Sequence, residues 1–225
     1  MVELYGISRA ELPTLEEALA LCRFSDMWRE HHRMGSADAA ASLGGLLLLE
    51  AAGCASELAY TALGRPYLQG ASVDFNYTHT ETHVFLALAR SQSSNEMPRV
   101  GIDAEDLARA SGLDRERMAK RWMTAEERDV YDKSGNTDEA FLGIWTKKEA
   151  FVKWQGDGLR ALRTANICTA PECFDVRFFE YRVGDSVIAV CTNKACEQVE
   201  PMRMLDGETL LKKRSQNRNE RKFST

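Results

Sequence analysis

The amino-acid sequence predicts an α+β fold of two similar halves, each a long helix packed on a small antiparallel sheet. The first observation is the order of elements, which runs strand, helices, strands along residues 1–95 and again along residues 96–210. The second is periodicity, because apolar residues recur at helical spacing in two long segments and as extended runs between them. The third is composition, since 44% hydrophobic residues in a chain of 225 suffice for a sizeable core.

The elements of the first half follow from their composition and their stop signals. We expect a strand at 2–7, helices at 14–22 and 26–33, and a long helix at 38–63 that Gly64 and Pro66 end. Extended segments at 73–77 and 83–89 complete this half. A polar stretch at 91–98 then links it to the second half.

The second half repeats this order. We expect an extended segment at 99–104, helices at 113–122 and 137–155, and strands at 175–183, 186–192 and 198–205. Thr124 and Glu127 have the spacing of a capping box, and Gly156 and Gly158 close the helix at 137–155. Residues 211–225 are polar and basic, and we expect them to be disordered.

Charge and hydropathy exclude several classes of protein. The net charge is −5, and six bases against one acid in 212–222 leave the rest of the chain at −10, which argues against a broad nucleic-acid-binding face. The longest uncharged apolar stretch, Ala39–Leu49, is too short to cross a bilayer. Glu3 stands where a signal peptide would carry bases, so we expect a cytoplasmic protein. The six cysteines include no CxxC pair, which favours reduced thiols over a zinc site.

A pair of carboxylates ends the extended segment that opens the second half. Because side chains alternate along a strand, Asp103 and Glu105 share one face, and Ile102 and Ala104 share the other. Neighbouring carboxylates repel each other unless a cation lies between them, and oxygen ligands suit a hard divalent ion, above all Mg²⁺. From this segment alone, a strand that runs into a polar turn is the simpler interpretation.

The helix predicted at 137–155 places charges on an apolar stripe. Trp145, Glu149 and Lys153 are four residues apart and therefore lie on one face. A Glu–Lys pair at this spacing usually lies on a solvated surface, but a tryptophan on the same stripe favours partial burial. The functional interpretation is a third metal ligand, Glu149, beside a phosphate-binding lysine, Lys153.

A third group of polar residues lies in the first half. Arg65 follows a turn glycine, and Thr78 and His79 end an extended segment. An arginine, a hydroxyl and an imidazole together can form an anion pocket. Taken alone, His79 is more simply a structural histidine.

Taken together, these segments resemble the 4′-phosphopantetheinyl transferases, specifically the longer, single-chain, surfactin-synthetase-activating type. The resemblance rests on GRPYL, NYTHT, VGIDAED and WTKKEAFVKWQGDGL, which follow one another between about residues 60 and 160. Residues 1–60 match loosely in length and helix pattern, and the tail does not match. The length also fits this type better than the short, trimeric carrier-protein synthases.

The resemblance implies two halves related by a pseudo-two-fold axis in a monomeric enzyme that binds coenzyme A between them. It implies Mg²⁺ on Asp103, Glu105 and Glu149. The reaction would transfer the 4′-phosphopantetheine group of coenzyme A to a serine of an apo acyl or peptidyl carrier protein and release 3′,5′-ADP. Glu149 would take the serine proton, and Lys153 would bind the phosphates.

The same resemblance assigns the binding of coenzyme A. Arg65, Thr78 and His79 match positions that hold its 3′-phosphate and diphosphate, and Lys148 is expected to add a contact. The 3′-phosphate would lie on residues 1–95, and the metal and catalytic residues on 96–210.

Two positions depart from the family pattern. Glu81 replaces a glycine and puts a negative charge beside the expected phosphate pocket. The position of an arginine that is usual on the first long helix is occupied by Ala41, so that one phosphate contact is either missing or supplied by Arg29 or Arg33. We therefore expect a less positive pocket than is typical.

Two other classes compete with the transferase. A non-catalytic relative that binds coenzyme A or a carrier protein would not need the intact set Asp103, Glu105, Glu149 and Lys153. A nucleotide phosphotransferase lacks support, because the chain has no GxxxxGK[ST] loop. The sequence does not indicate whether a fatty acid, polyketide or peptide carrier is the substrate.

Overall fold

The α+β class is confirmed by the structure, a computed structural model that describes residues 1–32, 38–91, 97–196 and 198–212. The pseudo-two-fold axis and the boundaries of the halves stay predictions. Arg33 and the expected disorder of 213–225 lie outside the described residues. Across those described ranges, no helix is long and apolar enough to span a membrane.

The first half places helices on one face of a sheet. Strand β1 is Val2–Ser8, and a 3-10 helix at Arg9–Glu11 leads to helices α1 (Leu15–Leu21), α2 (Ser25–His31) and α3 (Ala39–Ala51). The strands that follow are β2 (Leu58–Tyr60), β3 (Pro66–Leu68), β4 (Val73–His79) and β5 (His83–Arg90). Strands β2 and β3 form a separate pair, whereas β5 lies between β4 and β1 and is antiparallel to both.

The second half packs one long helix on a three-stranded antiparallel sheet. Its helices are α4 (Leu107–Ala110), α5 (Arg115–Trp122), α6 (Ala125–Lys133), α7 (Asp138–Gln155) and α8 (Ala170–Cys173), with a 3-10 helix at Leu159–Arg163. Its strands are β6 (Val100–Asp106), β7 (Val176–Val183) and β8 (Ser186–Asn193), with β8 in the middle. The predicted capping box of Thr124 and Glu127 opens α6, and Gly156 ends α7 at φ 81°.

The first long helix is shorter than expected. The prediction placed it at 38–63, but α3 ends at Ala51, because Gly53 adopts φ 85° and β2 begins at Leu58. Left-handed backbone of this kind favours glycine and ends a helix. Gly64, the expected stop, instead turns the chain between β2 and β3, with φ 84°.

The chain returns to the first half after β8. The strand expected at 198–205 is reduced to β9 (Arg203–Leu205), and it pairs in parallel with β1 rather than with the second sheet. Residues 207–212 are helical, so the first two residues of the tail that was expected to be disordered belong to a helix. Leu210 of this segment packs into the core of the first half.

The two sheets stack face to face, and helices cover their outer faces. In β5, Val84 and Leu86 pack on the side of α3, whereas Phe85 packs on the side of the second sheet, against residues such as Ile102 and Val190. Helix α7 covers the opposite face of β6 and β8. Both faces of β5 are therefore buried, which explains its continuous apolar run.

Gly101 allows α7 to lie directly on β6. A Cβ at Gly101 would lie 2.0 Å from the carbonyl oxygen of Ala150 and 2.6 Å from the amide nitrogen of Trp154. Residues 101, 103 and 105 share the face of β6 that looks toward α7. This close approach therefore sets the distance between the acidic side chains of β6 and the helix.

Side chains of β4 join the edges of the two sheets. Within the described ranges, no backbone hydrogen bond links β4 to β6. Instead, Asp74 Oδ2 accepts from the Val100 N–H at 2.8 Å, and Asn76 Oδ1 accepts from the Ile102 N–H at 3.0 Å. Because buried backbone groups need partners, the first half satisfies this edge of the second.

Replacing Gly101 by Ala should destabilise the fold by about 1–3 kcal/mol, because the new methyl group meets helix backbone that has no room to move. Urea unfolding measures this loss. The matched control is Gly143→Ala in α7, where a Cβ would meet only the Glu180 carboxylate at 3.8 Å. That control should stabilise the protein by up to about 1 kcal/mol. Equal stability of the Gly101→Ala variant and the unmodified protein would contradict the close approach of α7 to β6.

Candidate functional site

Three carboxylates from β6 and α7 converge on one point. Asp103 and Glu105 extend from the strand and Glu149 from the helix, and one oxygen of each lies within 4.8 Å of the other two. Asp103 is 4% and Glu105 8% exposed. The three residues that the sequence singled out as metal ligands thus lie together.

Two cations hold the carboxylates of β6. Lys153 Nζ donates to Asp103 Oδ1 at 2.6 Å and to the Ile102 carbonyl at 3.1 Å. Arg109 Nη1 donates to Glu105 Oε2 at 2.5 Å. Lys153 faces the cluster as expected, whereas the sequence analysis missed Arg109, because its link to Glu105 crosses from β6 into α4.

Burial and mutual repulsion shift the ionisation of the cluster. Burial raises the pKa of Glu149 to about 7, the charge of Asp103 adds to the rise, and Lys153 opposes it. The pKa of Glu105 is also raised, first by burial and then by Asp103. Burial alone would lower the pKa of Lys153, but Asp103 and Glu149 more than offset it, so that this pKa is raised. A further positive charge would therefore be favourable at this point.

The donor set fits a hard divalent cation. Oδ2 of Asp103 is buried and has no hydrogen-bond partner among the residues that the structure describes, although buried acceptors are normally paired. All three side chains offer carboxylate oxygens, which are the ligands that Mg²⁺ prefers in proteins. Asp103, Glu105 and Glu149 are therefore the residues that would hold such an ion.

Thr78 and His79 reach the cluster from the first half. Thr78 Oγ1 donates to Asp103 Oδ1 at 3.2 Å and accepts from Lys153 Nζ at 3.3 Å. His79 Nδ1 lies 4.0 Å from Asp38 Oδ1. Burial lowers the pKa of His79, although Asp38 opposes the shift. Thr78 thus contacts a carboxylate of the cluster, and His79 lies beside it.

A cavity of about 380 Å³ opens next to the cluster, between the two halves. Its charged and polar lining comes from both halves: Arg9, Asp38, His79, Thr80, Glu81, Glu105, Asp106 and Arg109. Glu81 lines it, in keeping with the expectation of a negative charge beside His79. Arg9 also lines the cavity and donates to the Thr80 carbonyl at 2.9 Å, and it was not predicted because no motif surrounds it.

Arg65 lies outside the lining of this cavity and pairs with protein groups, and its expected contact with the phosphates of coenzyme A stays a prediction. Its side chain is 10% exposed and donates to Asp74 Oδ2 at 2.6 Å and to the Val100 carbonyl at 2.9 Å. It also donates to the Lys153 carbonyl near the end of α7. Arg65 therefore ties the first half to β6 and α7.

Lys148 points away from the carboxylate cluster, and its expected contact with coenzyme A stays a prediction. Its fully buried ammonium pairs with Glu127 Oε2 at 2.6 Å and donates to the Ala165 carbonyl. Glu127 also accepts from the Ile167 N–H at 2.9 Å. Successive helical residues differ by about 100° in direction, so this buried pair fixes the rotation of α7 that turns Glu149 toward β6.

Ala41 lies in the core of the first half with no exposed surface, so it does not face a ligand. Arg29, one proposed replacement for the missing arginine, lies on α2 and pairs with Asp26 at 3.3 Å. Arg33, the other proposed replacement, lies outside the described residues, so the expected compensation stays a prediction. Within the described ranges, Arg9 and Arg109 line the cavity.

A comparison with known protein families covers the segment that contains the carboxylate cluster. The family model described as the 4′-phosphopantetheinyl transferase superfamily matches residues 99–191, which carry Asp103, Glu105, Glu149 and Lys153. The predicted resemblance to this superfamily is confirmed. A similar protein is the 4′-phosphopantetheinyl transferase HetI of Nostoc sp. (strain PCC 7120 / SAG 25.82 / UTEX 2576), 29% identical over 118 residues. The match covers 50% of this chain and 46% of HetI, and the surfactin-synthetase-activating type stays a prediction.

Within the superfamily segment, Lys148→Met should destabilise the protein by about 3–5 kcal/mol, because it leaves Glu127 charged, buried and unpaired. The double variant Glu127→Leu/Lys148→Met removes both charges and should recover part of the loss. Urea unfolding measures both effects.

The control for this prediction is Lys147→Met, one residue earlier on α7. Lys147 pairs with Glu180 at 2.7 Å, and their side chains are 26% and 56% exposed. An exposed pair contributes at most about 1 kcal/mol. If Lys148→Met lowered the stability of the protein no more than this control, the buried pair would not fix the rotation of α7.

Proposed function

We propose that the protein transfers the 4′-phosphopantetheine group of coenzyme A to a serine of an apo acyl or peptidyl carrier protein and releases 3′,5′-ADP. The observation that carries the proposal is the convergence of Asp103, Glu105, Glu149 and Lys153 inside the segment that matches the superfamily. Coenzyme A would lie in the adjacent cavity between the halves, within reach of residues from both.

The residues of α7 supply the proton transfer and the phosphate contact. A serine hydroxyl is a poor nucleophile, so Glu149 accepts its proton, directly or through a water. The serine oxygen then bonds to the β-phosphorus of coenzyme A, and the bond from that phosphorus to the bridging oxygen breaks. The bridging oxygen leaves with 3′,5′-ADP, and Lys153 stabilises the negative charge that develops on it.

The other residues orient these groups. Bound at Asp103, Glu105 and Glu149, Mg²⁺ would neutralise the diphosphate and stabilise the charge on the leaving group. Thr78 holds Asp103 in place by its hydrogen bond at 3.2 Å. His79 lines the cavity and would face the phosphates of coenzyme A.

The proposal is tested by incubating the purified protein with coenzyme A, Mg²⁺ and a panel of apo carrier proteins. Intact-mass measurement should show that at least one carrier gains one phosphopantetheine group while 3′,5′-ADP is released. Excess chelator should abolish the gain without unfolding the protein, because only the carboxylate cluster needs the ion. Binding of coenzyme A with no modification of any carrier would favour the non-catalytic alternative.

Glu149→Gln and Lys153→Ala should affect turnover and coenzyme A affinity in different proportions. The first variant keeps the shape of the side chain but loses the base and a ligand charge, so kcat should fall by at least about 100-fold with a smaller change in coenzyme A affinity. The second variant removes a phosphate contact and should weaken both turnover and binding. Steady-state kinetics and calorimetry separate the two effects.

Lys147→Ala is the control for both variants, because Lys147 lies on the same helix but pairs with Glu180 on an exposed surface. Its kinetics should match those of the unmodified protein. Equally small effects from all three substitutions would show that this face of α7 takes no part in the reaction.

A further inference from the structure

Asp106 carries a buried carboxylate that the proposed reaction does not use. It ends β6, directly after Glu105, and is 5% exposed. Arg109, the cation closest along the chain, pairs with Glu105 instead. A buried carboxylate without a paired cation needs several neutral donors, so its partners indicate what it holds in place.

The donors to Asp106 come from both halves of the protein. From the first half, Thr82 donates its backbone N–H to Oδ2 at 3.2 Å and its hydroxyl to Oδ2 at 3.0 Å. From the second half, Ser186 Oγ donates to Oδ1 at 2.5 Å. Thr82 lies in the turn between β4 and β5, whereas Ser186 pairs with Asp106 within the second sheet. Among the donors to Asp106 in the described part of the chain, Thr82 is therefore the one whose contact crosses between the halves.

The turn that Asp106 holds carries part of the cavity wall. Thr80 Oγ1 accepts from the Thr82 N–H and from the His83 N–H, each at 3.1 Å, so the turn is internally rigid. His79 precedes this turn, and His79, Thr80 and Asp106 all line the cavity. Fixing Thr82 therefore fixes where His79 stands relative to Glu105.

We propose that Asp106 is a positioning residue, which acts through Thr82 to hold the wall of the first half at a set distance from the carboxylate cluster before coenzyme A binds. This inference rests on the proposed function. A site that is already assembled binds more tightly, because the ligand does not have to order it. The contact with Thr82 should therefore affect the binding of coenzyme A more than the chemical step.

The test compares Thr82→Val with Ser186→Ala. Both remove one hydroxyl that donates to Asp106, but only the first crosses between the halves. Thr82→Val should raise the KM for coenzyme A by about tenfold, as expected for loss of a hydrogen bond to a charged group, and leave kcat within about threefold. Ser186→Ala should leave the KM unchanged, and Thr82→Ser should restore it.

Two further measurements separate positioning from a general loss of structure. Because Thr82→Val changes no charge and the three metal ligands belong to the second half, the affinity of the variant for Mn²⁺ should be unchanged. Asp106→Ala should raise the KM at least as much as Thr82→Val, and the double variant should be no worse than Asp106→Ala, since Asp106→Ala already removes the hydroxyl contact that Thr82→Val removes. An unchanged KM in Thr82→Val, or equal effects of Thr82→Val and Ser186→Ala, would overturn the inference.

Failure of the proposed function is recognised separately. Calorimetry of coenzyme A with the unmodified protein is done first, and absence of both binding and transfer contradicts the proposed function. In that case, amide hydrogen exchange of residues 80–83 tests the contact itself. Faster exchange in Thr82→Val than in Ser186→Ala supports it, and equal exchange overturns it.

Discussion

The outer edge of β6 is satisfied by side chains of the other half, and the architecture of the site depends on this constraint. A buried strand edge with unpaired N–H and C=O groups is unfavourable. In the described ranges, β8 pairs with one edge of β6 and no strand pairs with the other. Asp74 and Asn76 accept from two of its amides, and Arg65 donates to one of its carbonyls. The two halves are therefore joined by specific polar contacts in addition to the apolar core between their sheets.

The two faces of β6 differ in polarity. One face, with Ile102 at its centre, packs against the first sheet in a dry core. The other face carries Asp103 and Glu105 toward α7 and is brought close to the helix by Gly101. The packing of the apolar face holds the carboxylates near each other in spite of their repulsion. The positive charge of Lys153 offsets part of this repulsion. Clustered charge of this kind normally lowers stability at sites that serve function.

The sequence predicted the members of the cluster, because local rules place them. Strand alternation groups Asp103 with Glu105, and the four-residue helical period groups Glu149 with Lys153. Their mutual approach followed only from the family resemblance, since it depends on how α7 packs on β6.

Local rules do not predict partners that distant segments supply. Arg65 and Lys148 were expected to contact coenzyme A, the second through the family resemblance alone, and in the folded chain they pair with Asp74 and Glu127. The sequence did not indicate a role for Asp106, because its partner Thr82 lies in a distant turn between β4 and β5. The bounds of α7 were predicted closely, whereas the first long helix was predicted to continue through β2, because the stop at Gly53 was not recognised. The predicted strand at 198–205 is shorter, because β9 forms only where β1 offers an edge.

The parallel pairing of β1 with β9 has a consequence for how the chain acquires its structure. The two strands are separated by about 200 residues, so that the contact closes a very long loop and forms slowly relative to local helices. During synthesis, the outer edge of β1 stays open until the second half has emerged from the ribosome. Residues beyond β8, including Leu210, then complete the core of the first half. The sheet and the core of the first half therefore depend on residues from the far end of the chain, and we expect the two halves to unfold together.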